Sequence, residues 1–94
     1  MKSLSREVYR LCRTTVEDVF ENKSRARKAI YAKSMLAYCL YKLSFDPATI
    51  SRMLQLSQTS TFTAVKRIEC FKEIRDRQTI DILTKLSNLF GHDF

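Results

Sequence analysis

Residues 46–67 read DPATISRMLQLSQTSTFTAVKR, and this stretch decides the fold. Asp46 offers a side-chain oxygen that can cap a helix, and Pro47 suits the first helical position, where its missing N–H needs no partner. Apolar residues then follow at helical spacing. The sequence therefore predicts a short helix that ends near Leu54 or Gln55.

A second helix is predicted after a turn around Leu56 and Ser57. It would run from about Gln58 to Arg75, and it begins with small hydroxyl and amide side chains. Its apolar pattern predicts which residues point inward, namely Phe62, Val65, Cys70, Phe71 and Ile74. The residues predicted on its other faces are Thr59, Ser60, Thr63, Lys66 and Arg67.

Apolar residues recur at helical spacing through the rest of the chain. Because the sequence has a single Pro and a single Gly, it has few of the turn residues that β-hairpins need. Two helices are predicted near the start of the sequence, one from Ser5 to Arg13 and a short one that begins at Thr14 or Thr15. A long helix is predicted from Arg25 to Leu43, with Ser24 as its N-cap. A last helix is predicted from Ile80 to Phe90. We expect Asp76 to Thr79 to separate the last two helices and Gly91 to end the final one in a left-handed conformation. The sequence predicts one all-α domain over residues 1–94, with about six helices.

Positive charge is concentrated in the middle of the chain. Residues 22–67 hold nine basic side chains and one acidic side chain, Asp46, whereas residues 1–21 are balanced and residues 68–94 carry one net negative charge. Each Lys or Arg that meets a phosphate releases a condensed counterion. A clustered positive segment of this kind indicates a polyanionic partner.

Several classes of function lack their residues in this sequence. A single glycine, Gly91, excludes the Gly-rich phosphate loops that bind ATP and NAD, so we expect no cofactor. His92 is the sole histidine, and no metal ligand or nucleophile stands near it at a suitable spacing. We therefore expect neither a metal site nor an enzyme.

The cysteines and the hydropathy pattern indicate a cellular location. Cys12, Cys39 and Cys70 lie far apart among apolar neighbours, which predicts buried, reduced thiols. Reduced thiols suit the cytoplasm. No apolar run approaches the roughly 18 residues that a membrane span requires, and the first residues lack a signal-peptide core. We expect a cytoplasmic protein with no membrane partner.

Two short helices joined by a tight turn have the layout of a helix-turn-helix, whose second helix presents its first turn to base edges in the major groove. The candidate contacts in this segment are Ser57, Gln58, Thr59, Ser60, Thr61 and Thr63. Capping and a solvated turn are the alternative roles for its hydroxyl side chains. Lys66 and Arg67 can contact phosphates, or they can be solvated side chains on the surface of the helix. Since Gln pairs with adenine and Thr methyls can touch thymine, the hypothesis is a site that contains A·T pairs.

Three runs, VEDVF at 16–20, KSRAR at 23–27 and AKSMLAY at 32–38, resemble the C-terminal DNA-binding domain of the bacterial replication initiator DnaA. The resemblance covers residues 8–69 and implies a Trp-repressor-like bundle that contains a helix-turn-helix. In the recognition segment, Ser57 to Phe62 stand where that family reads G-G-R-D-H-[ST]-T-V.

The resemblance also implies roles for four basic residues. Arg25 matches the arginine that enters the minor groove, Arg27 and Lys28 lie in the same basic segment, and Lys33 matches a phosphate contact. These roles are physically reasonable, because a planar guanidinium fits a narrow minor groove, whereas a lysine need only reach a phosphate.

The predicted function is sequence-preferring binding of double-stranded DNA without ATPase activity. We expect a stand-alone bacterial, phage or mobile-element regulator of replication or transcription. The alternative is a protein-interaction adaptor that docks its C-terminal helices on a replication or transcription protein. Loss of the family's base-reading residues favours the adaptor, and the basic cluster favours DNA. RNA binding is a third possibility.

Overall fold

Helices make up most of the structure. The computed structural model describes residues 2–12 and 27–94, and within these ranges it contains no strand. Its helices are α1 (Lys2–Leu11), α2 (Arg27–Lys42), α3 (Pro47–Leu54), α4 (Gln58–Glu73) and α5 (Arg77–Phe90). The all-α class is confirmed. The predicted short helix after Thr14 or Thr15 and the predicted Ser24 cap lie outside the described residues.

Helix α2 is the centre of the bundle, since it packs against α1, α3 and α4. Its buried side chains form a wide apolar face: Ala32, Met35, Leu36, Ala37, Tyr38, Cys39 and Leu40. A helix that is apolar over so much of its surface must be covered on several sides. The other helices provide that cover, and α5 packs on α1 and α4 at the outside.

Local chemistry sets the bounds of α3, as predicted. The Asp46 carboxylate accepts a hydrogen bond from the Thr49 N–H at 3.3 Å, and this bond lowers the pKa of Asp46. Pro47 occupies the first helical turn. The helix ends where Gln55 adopts a left-handed conformation, with φ 57° and ψ 44°.

The buried face of α4 differs from the predicted one. Of the residues predicted to point inward, Phe62 is 48% exposed, Ile74 is 73% exposed and Cys70 is also exposed. The residues actually buried are Thr61, Ala64, Val65 and Ile68. Val65 is buried as predicted, and Phe71 packs partly buried against the core. The prediction was wrong for the other three because it counted apolar side chains only, whereas the buried stripe begins at a threonine whose hydroxyl has partners inside the protein.

Helix α4 ends two residues earlier than predicted, at Glu73. The chain reverses through Arg75, whose φ is 56°, and Asp76 caps α5 by accepting hydrogen bonds from the N–H and the hydroxyl of Thr79. The predicted break at Asp76–Thr79 therefore lies too late, since Thr79 is already helical. Gly91 is left-handed, with φ 61°, as predicted.

Helix α5 buries only some of its apolar residues. Leu83 and Leu86 are buried, but Leu89 and Phe90 are exposed at the end of the helix. Ile82 is buried in place of Ile80, which is exposed. The helix lies on the outside of the bundle, so only the narrow stripe that faces α1 and α4 is covered.

Phe94 packs into the core and holds the residues after α5 against it. Its side chain is 2% exposed, and its carbonyl oxygen accepts hydrogen bonds from the Tyr38 hydroxyl at 3.1 Å and from Lys72 Nζ at 2.8 Å. Its N–H donates to Ser87 Oγ at 3.1 Å. One backbone group thus connects α2 with the C-terminal half of α4.

The three cysteines are free thiols in two different environments. Cys12 and Cys39 are buried, as predicted, and burial raises the pKa of Cys12 to about 11 and that of Cys39 to about 12. Cys70 is exposed on α4, so the prediction that it is buried was wrong.

Candidate nucleic-acid interface

A turn of three residues, Gln55 to Ser57, joins α3 to α4. The Leu56 N–H donates to the Ser51 carbonyl at 2.9 Å, so the chain leaves α3 through a hydrogen-bonded reversal. Gln55 takes the left-handed position that glycine often fills after a helix. The turn is therefore tight without any glycine.

Buried hydroxyl groups hold the two helices together. Ser51 Oγ lies 2.7 Å from Thr61 Oγ1 and donates to the Pro47 carbonyl at 2.7 Å. Thr61 Oγ1 lies 3.0 Å from the Ser57 carbonyl. Of these three contacts, the one between Ser51 and Thr61 joins α3 to α4, whereas the other two return to the carbonyl four residues earlier. Because Thr61 is buried and occupied in this way, it leaves the set of candidate DNA contacts.

Ser57 and Ser60 act together at the start of α4. Ser57 Oγ accepts a hydrogen bond from the Ser60 N–H at 3.1 Å and donates one to Ser60 Oγ at 3.0 Å. Both residues remain exposed. The capping role that the sequence offered for Ser57 is confirmed. A DNA group that contacts these two hydroxyls would have to do so while they also make the capping hydrogen bonds.

The first half of α4 presents an exposed face made of uncharged polar groups, one aromatic ring and one cation. Its members are Gln58, Thr59, Phe62, Thr63 and Lys66. Their three- and four-residue spacing places them on the side of α4 that is turned away from the buried stripe. We call this set the α4 outer face. Sequence reasoning missed Phe62, which an apolar pattern assigns to the core.

Arg67 connects α4 to α2 at the edge of this face. Its Nη1 donates to Ser34 Oγ at 3.1 Å, and Ser34 is buried on α2. Lys33 precedes Ser34 on α2 and is partly exposed, and burial lowers the pKa of its ammonium. Of the predicted basic residues, the structure therefore places Arg67 at the seam between α2 and α4.

The remaining basic candidates come from the start of α2. The backbone of Arg27 and Lys28 lies in the first turn of α2, and their side chains lie outside the described residues. Arg25 lies outside them entirely. The predicted minor-groove contact therefore stays a prediction.

The charge around the turn is positive. Arg52, Lys66 and Arg67 are exposed, and no Asp or Glu occurs from residue 47 to residue 68. The C-terminal half of α4 is different, because Glu69 and Glu73 alternate there with Lys72. A polyanion would therefore meet attraction at the start of α4 and mixed charge at its end.

Residues 2–12 and 27–94 contain neither a cluster of metal ligands nor a helix that could cross a membrane. No three His, Cys, Asp or Glu side chains in that part of the chain could jointly hold a metal ion. Within the same part of the chain, no helix combines the length and the apolar character that crossing a bilayer requires.

Comparisons with protein-family models, with curated protein sequences and with solved structures found no match to this chain.

Proposed function

We propose that this protein binds double-stranded DNA and inserts the first half of α4 into the major groove. The observation that carries the proposal is the α4 outer face: an exposed, carboxylate-free helix start behind a tight turn, in the most basic segment of the chain. The major groove admits one α-helix, and the first turns of such a helix reach base edges.

Each residue of the site has a proposed task. Gln58 carries the amide that can pair with adenine, and Thr59 and Thr63 offer hydroxyls and methyls to base edges. Lys66 and Arg67 contact phosphates, and Lys33 adds a phosphate contact from α2. Arg25, Arg27 and Lys28 extend the site toward the minor groove.

Rigid support for the recognition helix favours this function. The Ser51 to Thr61 contact fixes α4 against α3, and the Arg67 to Ser34 bond fixes it against α2. A helix that reads bases must be held at a defined angle and depth. We propose that the bundle is of the Trp-repressor-like kind found in the DnaA DNA-binding domain and that it serves the regulation of replication or transcription.

The proposal is tested by incubating the purified protein with a pool of random duplex DNA over a salt series and sequencing the retained fraction. We expect affinity to fall steeply with salt and an A·T-containing motif to be enriched. Duplex RNA of matched length serves as the competitor. Failure to bind any duplex DNA at low salt would contradict the proposal, and equal competition by RNA would reassign the partner.

A protein-interaction adaptor is the second candidate, and a specific observation favours it. Ile74 is 73% exposed at the end of α4, and Leu89 is 56% exposed at the end of α5. Such side chains can anchor a partner protein. Substituting both by Ser would abolish partner binding under this alternative and leave DNA binding unchanged under the first.

A further inference from the structure

Phe62 is the apolar member of the α4 outer face. Its ring is 48% exposed, although a phenylalanine in a small helical domain ordinarily belongs to the core. Its neighbours one turn away are Gln58, Thr59, Val65 and Lys66, and all but Val65 are exposed and polar. Phe62 is thus an exposed ring surrounded by amide, hydroxyl and ammonium groups.

Exposure alone assigns no role, because single apolar side chains are common on protein surfaces. Position distinguishes Phe62 from the other exposed apolar residue of α4, Ile74. Phe62 lies in the second turn from the Ser57 cap, within the segment that lacks carboxylates. Ile74 caps the opposite end, beside Glu73 and Arg75.

We infer that Phe62 contacts the C5-methyl group of a thymine in the major groove and specifies thymine at that position. The inference rests on the proposed function, because it requires α4 to lie in the groove. The thymine methyl is the apolar group that base pairs display there, and phenylalanine is one of the side chains suited to contact it. The ring would lose its exposure to water in the complex, and thymine would be preferred over cytosine.

The surroundings of Phe62 favour DNA over a protein partner. The core of a protein interface is depleted in charge and joins several apolar side chains. Phe62 is instead flanked by Lys66, and Arg67 follows it. These cations complement phosphates and would oppose burial against an apolar protein surface.

The test uses the motif selected by the full-length protein and deoxyuridine, which lacks only the C5-methyl group of thymine. Dissociation constants are measured for the wild type and Phe62→Ala on the thymine duplex and on duplexes with one thymine replaced at a time. We expect one position where deoxyuridine weakens the wild type by about fourfold, the value of one buried methyl group. At that position Phe62→Ala should bind both duplexes equally.

Two variants serve as controls. Ile74→Ala removes an even more exposed apolar side chain from the C-cap of α4 and should retain the full thymine preference. Phe62→Leu keeps an apolar contact and should retain part of it. Circular dichroism before the titrations checks that each variant is folded. We expect all of them to fold, because the substituted side chains are exposed.

The outcomes separate this inference from the proposed function. If the wild type binds its motif but Phe62→Ala keeps the same thymine preference at every position, the inference is overturned and DNA binding stands. If the wild type binds no duplex, both are overturned. If Phe62→Ala instead abolishes binding to a protein partner without changing affinity for DNA, Phe62 belongs to a protein interface.

Discussion

The two halves of α4 share one helix but have opposite surroundings. The first half, Gln58 to Lys66, is fastened through buried hydroxyls on its inner side and is open and free of carboxylates on its outer side. The second half is fastened through Lys72 to the Phe94 carbonyl and carries Glu69 and Glu73. The proposed function assigns a DNA-reading end and an anchoring end to this one helix, and variants at each end distinguish the two.

The largest expected effect comes from the anchoring end. Phe94→Ala removes a 2% exposed ring and should lower the free energy of unfolding by about 3 to 5 kcal/mol. Urea titration followed by circular dichroism measures this. Phe90→Ala, at an exposed position, is the matched control and should cost about 1 kcal/mol or less. DNA affinity, measured where Phe94→Ala is still folded, should not change; a loss of specificity would contradict the division of α4.

The next effect concerns the inner side of the reading end. Thr61→Val keeps the shape of the side chain but removes its buried hydroxyl, and should destabilise the protein by about 1 to 3 kcal/mol. The double variant with Ser51→Ala should cost less than the sum of the single variants, because the two hydroxyls are partners. Thr63→Val, on the exposed face, should be close to neutral. Strict additivity would show that the hydroxyl contacts do not couple α3 to α4.

A third prediction compares cations beside the two ends. Lys66→Ala should reduce the slope of log affinity against log salt by about one unit, because one phosphate contact is lost. Arg77→Ala, at the start of α5, removes the same charge and should leave the slope unchanged. Anisotropy of a labelled duplex at several salt concentrations measures both. Equal slopes for the two variants would indicate that only net charge matters.

The smallest effect concerns the turns. Gln55 and Arg75 stand at the turns before and after α4, and both are left-handed, with φ 57° and 56°. Replacing either by Gly should stabilise the protein by about 0.5 to 1 kcal/mol, since glycine adopts this conformation without strain. Thermal unfolding of Gln55→Gly and Arg75→Gly measures the gain. Destabilisation by Gln55→Gly alone would show that the Gln55 side chain has a structural role of its own.

Local chemistry made some of the helix boundaries predictable from the sequence. The Asp46 cap, the Ser57 cap and left-handed Gly91 each depend on one residue and its immediate neighbours, and each was correctly placed. The long central helix was also predictable, because its apolar residues recur over four turns.

The orientation of α4 was not predictable in the same way. An apolar pattern assigns Phe62 and Ile74 to the core and Thr61 to the surface, and the structure reverses all three. The burial of Thr61 depends on Ser51, which lies ten positions earlier and whose proximity only the folded turn creates. The bond between Arg67 and Ser34 is likewise a tertiary contact with no local signal in the sequence.

The central claim is that the first half of α4 is the surface that meets DNA. It is tested most directly by recording amide chemical shifts of the labelled protein while the selected duplex is added. The account predicts the largest shifts at Gln58, Thr59, Thr63 and Lys66, and small shifts throughout α5. Large shifts confined to α5 and the end of α4, with an unchanged α4 outer face, would contradict it.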